Sequence, residues 1–134
     1  MTAAVLDACA ILAYLRQEPG AEVVDALLDD PDTVCYVHAV NLVEIYYDAV
    51  RRLGARAGRA ILKELSDEGI MTRRDMGATF LRQVGDIKAL VRISLADSFC
   101  IALAHTMRAD LYTSDHHEFD RLLPMNLCSI QFIR

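Results

Sequence analysis

The chain has 134 residues, 54% of them hydrophobic and 25% charged, a balance that excludes a disordered chain and allows a real core in one domain spanning 1–134. Fourteen basic against nineteen acidic residues give a net charge of −5, which excludes a uniformly basic nucleic-acid binder. No apolar run reaches the roughly 18 residues of a membrane span, and the Met1-Thr2-Ala3-Ala4 start lacks the positive charge of a secretory signal, so a cytoplasmic protein without membrane contact is expected.

Ala3-Ala4-Val5-Leu6 reads as a buried strand ending at Asp7, and Ala10 to Leu15 as a helix broken by Glu18-Pro19-Gly20. Val23, Val24, Leu27 and Leu28 repeat at helical spacing up to Asp29-Asp30-Pro31-Asp32. Val34 to Val37 is a second apolar strand. Leu42, Ile45, Tyr46, Ala49, Val50 and Leu53 mark an amphipathic helix that stops at Gly54. Ile61, Leu62 and Leu65 mark another, ending near Gly69, and Ile70-Met71-Thr72 is a weak strand. Gly54 to Gly77 is the least regular stretch, a candidate clamp or interface. Phe80 to Leu90 is helical. Leu95 to Met107 is a strong helix with Phe99, Leu103 and Thr106 on one face. Leu111 to Thr113 and Ile130 to Ile133 are the last strands. Strands alternating with helices, and lacking polar alternation of their own, argue an α/β layer fold around a parallel sheet.

Cys9, Cys35, Cys100 and Cys128 are too far apart for a CxxC pair and read as reduced, small hydrophobes of a cytosolic protein. Between Arg51 and Arg92 there are ten basic and five acidic residues, a local +5 inside an acidic protein. Solvated helix faces explain that segment as well as a phosphate-binding rim does.

In an open parallel sheet, ligands bind at the carboxyl ends of the strands. Asp7 and Asp115 follow strands, Glu44 sits early in the helix after the second strand, and Asp97 lies in the opening turn of the strongest helix. Each acid also has a purely structural reading: Asp7 and Asp115 as helix N-caps, and Asn41-x-x-Glu44, Ser94-x-x-Asp97 and Asp115-x-x-Glu118 as capping boxes. Caps alone explain poorly why acids recur at one sheet edge. Carboxylates gathered together repel unless a cation sits between them, and all-oxygen sites suit Mg²⁺ or Mn²⁺. Such a site supports metal-activated water attacking a phosphodiester. GxGxxG, GxxxxGK[ST] and GxSxG motifs are absent, and Asp7-Ala8-Cys9 after the first strand lacks the second Asp of a DxD motif, which argues against dinucleotide, P-loop, α/β-hydrolase and DxD phosphatase chemistry.

Four segments carry a resemblance to a known family: Val5 to Leu15 followed by Glu18-Pro19-Gly20, Val40 to Ile45, Leu95 to Ser98 with Ile101, Ala102 and Ala104, and Leu111 to Asp115 with Phe119 and Leu122. In order and spacing, over essentially the whole chain, they resemble the PIN-domain ribonucleases, in particular the VapC toxins of toxin–antitoxin pairs. The resemblance implies a three-layer α/β/α sandwich with a central parallel sheet. It implies a metal-dependent endoribonuclease toxin, with Asp7, Glu44, Asp97 and Asp115 holding one or two Mg²⁺ or Mn²⁺, supported by Cys9 and Thr113. It further implies an RNA substrate, a cognate antitoxin and a homodimer. A housekeeping PIN nuclease and a non-catalytic PIN-like scaffold stay open beside it. Cys9 stands where the family usually has Ser or Thr, and His38 where many relatives begin the second helix with Ser, which points to Asn41 as a substitute cap.

Arg51, Arg52, Arg56 and Arg59 follow the Glu44 helix and are the candidate RNA-binding cations. His116 and His117 adjoin Asp115 but lie outside the family's ligand set. Asp48 and Asp120 read as exposed, His105 as core or surface, and Tyr46 and Tyr47 as core and interface.

Overall fold

The computed structural model describes residues 1–134. Strands β1 (Thr2–Leu6), β2 (Thr33–His38), β3 (Met71–Arg73), β4 (Asp110–Thr113) and β5 (Ile130–Phe132) form one sheet in the order β3-β2-β1-β4-β5, every neighbour parallel. The helices are α1 (Ala8–Leu15), α2 (Ala21–Asp29), α3 (Ala39–Leu53), α4 (Ala55–Asp67), α5 (Ala78–Leu90), α6 (Leu95–Met107) and the short α7 (His116–Phe119); a 3₁₀ turn follows at Asp120–Met125. No helix is long and apolar enough to cross a membrane.

Helices cover both faces of the sheet, and β1 shows why its sequence lacks polar alternation. Val5 points into a core with Phe80, Phe99, Leu103 and Leu111, whereas Ala4 and Leu6 point into a second core with Ile11, Val24, Ile45 and Leu65. Both sets are almost wholly buried, which gives the three-layer α/β/α sandwich. From β1 the chain moves outward to β2 and β3, then returns to β1's other side with β4. The carboxyl ends of β1 and β4 therefore flank the switch point where such sheets open a crevice.

Two expectations change. The helix marked by Ile61, Leu62 and Leu65 exists but begins already at Ala55, so the first part of the stretch after Gly54 is regular: α4 is a 13-residue helix folded back on α3. Gly58 seats it, because a Cβ there would meet Val50 Cγ2 at 2.8 Å and the Tyr46 ring at 3.0 Å. Thr106 does not share the buried face of Phe99 and Leu103; it is exposed, and its hydroxyl donates to Gln83 Oε1 at 3.1 Å.

Candidate active site

All four acids stand at the carboxyl edge of the sheet. Asp7 leaves β1 and caps α1: its Oδ1 accepts from the Ala10 N–H at 2.8 Å, which satisfies one free donor of the helix end. Its Oδ2 is buried with no hydrogen-bond partner. Asp115 leaves β4 and caps α7, accepting from the Glu118 N–H at 3.0 Å. Asp97 sits in the first turn of α6, where its N–H donates to Ser94 Oγ at 3.0 Å. Glu44 is half-buried on α3. The cap and site readings of these acids are thus compatible, since one oxygen of Asp7 caps and the other is left over.

Burial pushes the Asp7 carboxyl up to about 7, opposed by the Thr113 hydroxyl and the Ala10 N–H and reinforced by the charges of Asp97 and Asp115. Burial also raises Glu44, with a further push from Asp97. Asp97 is raised by burial, held back by the Ser94 hydroxyl, and raised again by Asp115 and Glu118. The acids therefore feel one another. Cys9 feels all four: burial, then Asp7, Asp115, Asp97 and Glu44, push its thiol up to about 12, so it stays protonated. Thr113 is fully buried and its hydroxyl accepts the Asp115 N–H at 3.0 Å.

Two supporting groups escaped the sequence reading. Cys100, a buried residue of α6 itself, donates from Sγ to the Asp97 carbonyl one turn back at 3.1 Å. The charge of Glu118 adds to the push on Asp97, and its carboxylate is paired with Arg121 at 2.9 Å. Its place in Asp115-x-x-Glu118 was the available signal, but its carboxylate turns to Arg121 and the Asp115 N–H goes to Thr113.

Other expectations are corrected by geometry. His38, not Asn41, caps α3: His38 Nδ1 accepts from the Val40 N–H at 3.0 Å, and Nε2 donates to the Asp75 carbonyl at 3.0 Å. Asn41 lies inside the helix, 1% exposed, with Nδ2 unpartnered. Asp48 is half-buried and ion-paired with Arg16. His116 spends both ring nitrogens on protein, Nδ1 with Asp120 Oδ1 at 2.8 Å and Nε2 with the Arg134 carbonyl at 2.7 Å, and stacks on Phe132. His117 is exposed, 3.9 Å from the Glu118 carboxylate. His105 is exposed with Nδ1 on the Leu127 carbonyl, and Asp120 is exposed but engaged by His116.

The candidate RNA-binding arginines are all exposed. Arg51 and Arg52 stand seven and eight residues beyond Glu44, about 10 and 12 Å along the helix. Arg51 lies over the Tyr47 ring, and Arg52 lines a hollow with Arg16 and Asp48 at the C-terminal end of α1. Arg56 and Arg59 are on α4.

No three of the acids close to metal-ligation spacing. Their chemistry nonetheless fits a hard divalent cation. The donors are all carboxylate oxygens, burial and then neighbouring carboxylates raise Asp7, Glu44 and Asp97, and one buried oxygen has no hydrogen-bond partner.

Residues 4–122 match the sequence model of the PIN domain. Over 126 residues the chain is 29% identical to Ribonuclease VapC26 of Mycobacterium tuberculosis (strain ATCC 25618 / H37Rv), covering 90% of this chain and 93% of that protein. Its fold is similar to VapBC2 from Rickettsia felis bound to a promoter DNA fragment (TM-score 0.74, 13% identity, 98% of both chains). It is also similar to VapBC-1 from nontypeable Haemophilus influenzae (TM-score 0.72, 21% identity, 98% of both chains). A third similar structure is the sarcin-ricin loop cleaving toxin VapC20 of Mycobacterium tuberculosis (TM-score 0.66, 18% identity, 84% of this chain and 89% of that one). With 4–122 matched and the acids gathered at the sheet edge, the chain belongs to the PIN-domain family.

Proposed function

We propose that this protein is a metal-dependent endoribonuclease and the toxin of a toxin–antitoxin pair. The observation that carries the reading is the meeting of Asp7, Glu44, Asp97 and Asp115 at the switch-point edge, with Asp7 Oδ2 buried and unpaired. The likeness to a ribonuclease over 90% of the chain supports the same chemistry.

In this reading the four carboxylates hold Mg²⁺ or Mn²⁺. A bound ion of that kind supplies an activated water and neutralises charge building on the phosphate. The chain's own groups prepare the site. The Ala10 N–H fixes the Asp7 carboxylate through Oδ1, which leaves Oδ2 without a hydrogen-bond partner. Ser94 and Cys100 tie down the turn that carries Asp97. Thr113 fixes the Asp115 backbone. Cys9, held protonated, adds no further negative charge. Attack by water leaves a 5′-phosphate on one product.

The likeness to VapBC assemblies supports a cognate antitoxin as partner. Leu81, Leu90 and Leu95, each more than half exposed, supply apolar area that supports a homodimer. Four free cysteines support a reducing, cytoplasmic setting. Arg51, Arg52, Arg56 and Arg59 serve as outer contacts for RNA.

The test is cleavage of cellular RNA by purified protein with Mg²⁺, with Mn²⁺ and with EDTA, sequencing the 5′-phosphate ends. We expect specific ends with either ion, none with EDTA, and none from a folded Asp97→Asn variant. Ends that persist in EDTA or in Asp97→Asn overturn the metal reading; no ends under any condition overturn the nuclease reading.

A further inference from the structure

An acidic centre repels the polyanion it is to cut, so cations close to the acids must hold the RNA. The sheet edge supplies them on two sides. Arg73 ends β3, and the register pairing Val5 with Tyr36 and His38 with Arg73 sets it level with Asp7, two strands away. At ordinary strand spacing that is about 10 Å. Both Asp75 oxygens hold its guanidinium, at 2.9 and 3.0 Å, over the Tyr36 ring. The Asp75 carbonyl accepts in turn from His38, which is buried against Phe80 and Phe99. This turn is therefore fixed to the cap of the helix that carries Glu44. Arg74, the next residue, is exposed and makes no ion pair.

On the opposite side, Arg92 precedes Ser94, the cap of the helix whose first turn holds Asp97. It too is exposed and makes no ion pair. Its carbonyl accepts from Arg121, whose guanidinium also pairs with Glu118 of α7. The acids thus lie between a cationic turn on the β3 side and another on the α6–α7 side.

We infer that single-stranded RNA crosses the carboxyl edge of the sheet from the β3 side to the α6–α7 side, with phosphates flanking the cleaved bond held by Arg74 and Arg92. Arg73 and Arg121, already oriented by Asp75 and Glu118, lie beside them. The main path runs across the strands, and the α3–α4 hairpin with Arg52 and Arg56 supplies only weaker, outer contacts beside it. Phosphate contacts of this kind position a strand without reading its bases. The inference rests on the nuclease reading above and specifies where its substrate lies.

The test compares the parent protein with Arg74→Glu/Arg92→Glu and with Arg52→Glu/Arg56→Glu, each shown to be folded by its circular dichroism melt. Binding of a fluorescent mixed-sequence single-stranded RNA is followed by anisotropy in Ca²⁺ over a KCl series, beside the cleavage assay in Mg²⁺ and Mn²⁺. We expect Arg74→Glu/Arg92→Glu to weaken binding at least tenfold at low salt. Its log–log salt slope should flatten by about 1.4, two contacts at about 0.7 each on single strands. The Arg52→Glu/Arg56→Glu loss should be smaller. If the parent cleaves RNA but the Arg74→Glu/Arg92→Glu protein keeps its affinity and slope, or loses less than the hairpin variant, the path is wrong while the nuclease reading stands. If the parent neither binds nor cleaves RNA, both fall together.

Discussion

At the scale of single residues, the decisive group is a carboxylate with two unequal oxygens. Asp7 looked like a cap or a ligand from its position alone, and the structure shows why the choice was false: Oδ1 is occupied by the Ala10 N–H and Oδ2 is not occupied at all. Which oxygen is spent depends on the rotamer and on Thr113 from a distant strand, and no sequence pattern encodes that. The imbalance has a consequence for stability. The Asp7 carboxyl titrates near 3.8 when the chain is unfolded and about 7 in the fold, so between those values the native state binds the extra proton. This group's contribution to the stability of the metal-free protein falls as pH rises from about 4 to about 7, by on the order of 4 kcal/mol. Asp7→Asn keeps an oxygen for the cap and removes the buried charge. In EDTA we expect this variant to melt higher than the parent near pH 8, by a margin that narrows as pH falls and closes near pH 4. Equal melting curves near pH 8 would contradict the buried, uncompensated charge. Asp48 teaches the complementary lesson: its partner Arg16 is 32 residues away, so a paired, half-buried acid was indistinguishable from a solvated one.

At the scale of elements, the helices and strands were largely readable because apolar spacing alone defines them. Leu95 to Met107 matches residue for residue, and every predicted strand exists. Only the first half of α4 was illegible, and that has a physical source. Arg56, Gly58 and Arg59 dilute its apolar period, and Gly58 looks like a breaker when it is a contact point against Tyr46 and Val50. Gly58→Ala should therefore destabilise the protein by about 1–3 kcal/mol in urea, although Ala is the better helix former, because the added methyl overpacks the hairpin. A neutral or stabilising result would mean that the two helices have room to separate. His38 was likewise underrated as a cap, since its strength comes from Asp75 and the flanking Phe80 and Phe99 rings, none of them local. His38→Ala leaves the Val40 N–H and the Asp75 carbonyl unpaired in a buried place and opens a gap between the rings. A loss of about 3 kcal/mol is expected in equilibrium unfolding. His38→Asn, which can still cap α3, should recover part of it.

At the scale of the whole molecule, the parallel sheet followed from strands with no polar face, but its order did not. Nothing local says that β4 joins β1 on the side away from β2, yet that choice creates the crevice and brings Asp115 beside Asp7. The resemblance to a known family, more than periodicity, made the four acids recognisable as a set. Folding thus gathers like charges that the unfolded chain keeps apart, and a cation bound only by the native arrangement should stabilise the molecule as a whole. The linkage is RT ln(1 + [L]/Kd), about 2.7 kcal/mol when the free ion is a hundredfold above Kd. For a chain of 134 residues that is a rise of about 10 °C in Tm. We expect EDTA-stripped protein to show such a rise as Mn²⁺ or Mg²⁺ is added at about pH 8. The rise should shrink near pH 5, where protons compete for Asp7, Glu44 and Asp97, whose carboxyls are all raised in the fold. It should be nearly absent in Asp7→Asn, which gains its stability from removal of the same charge. A melting temperature indifferent to either ion at both pH values would mean that the acids are gathered without binding a cation.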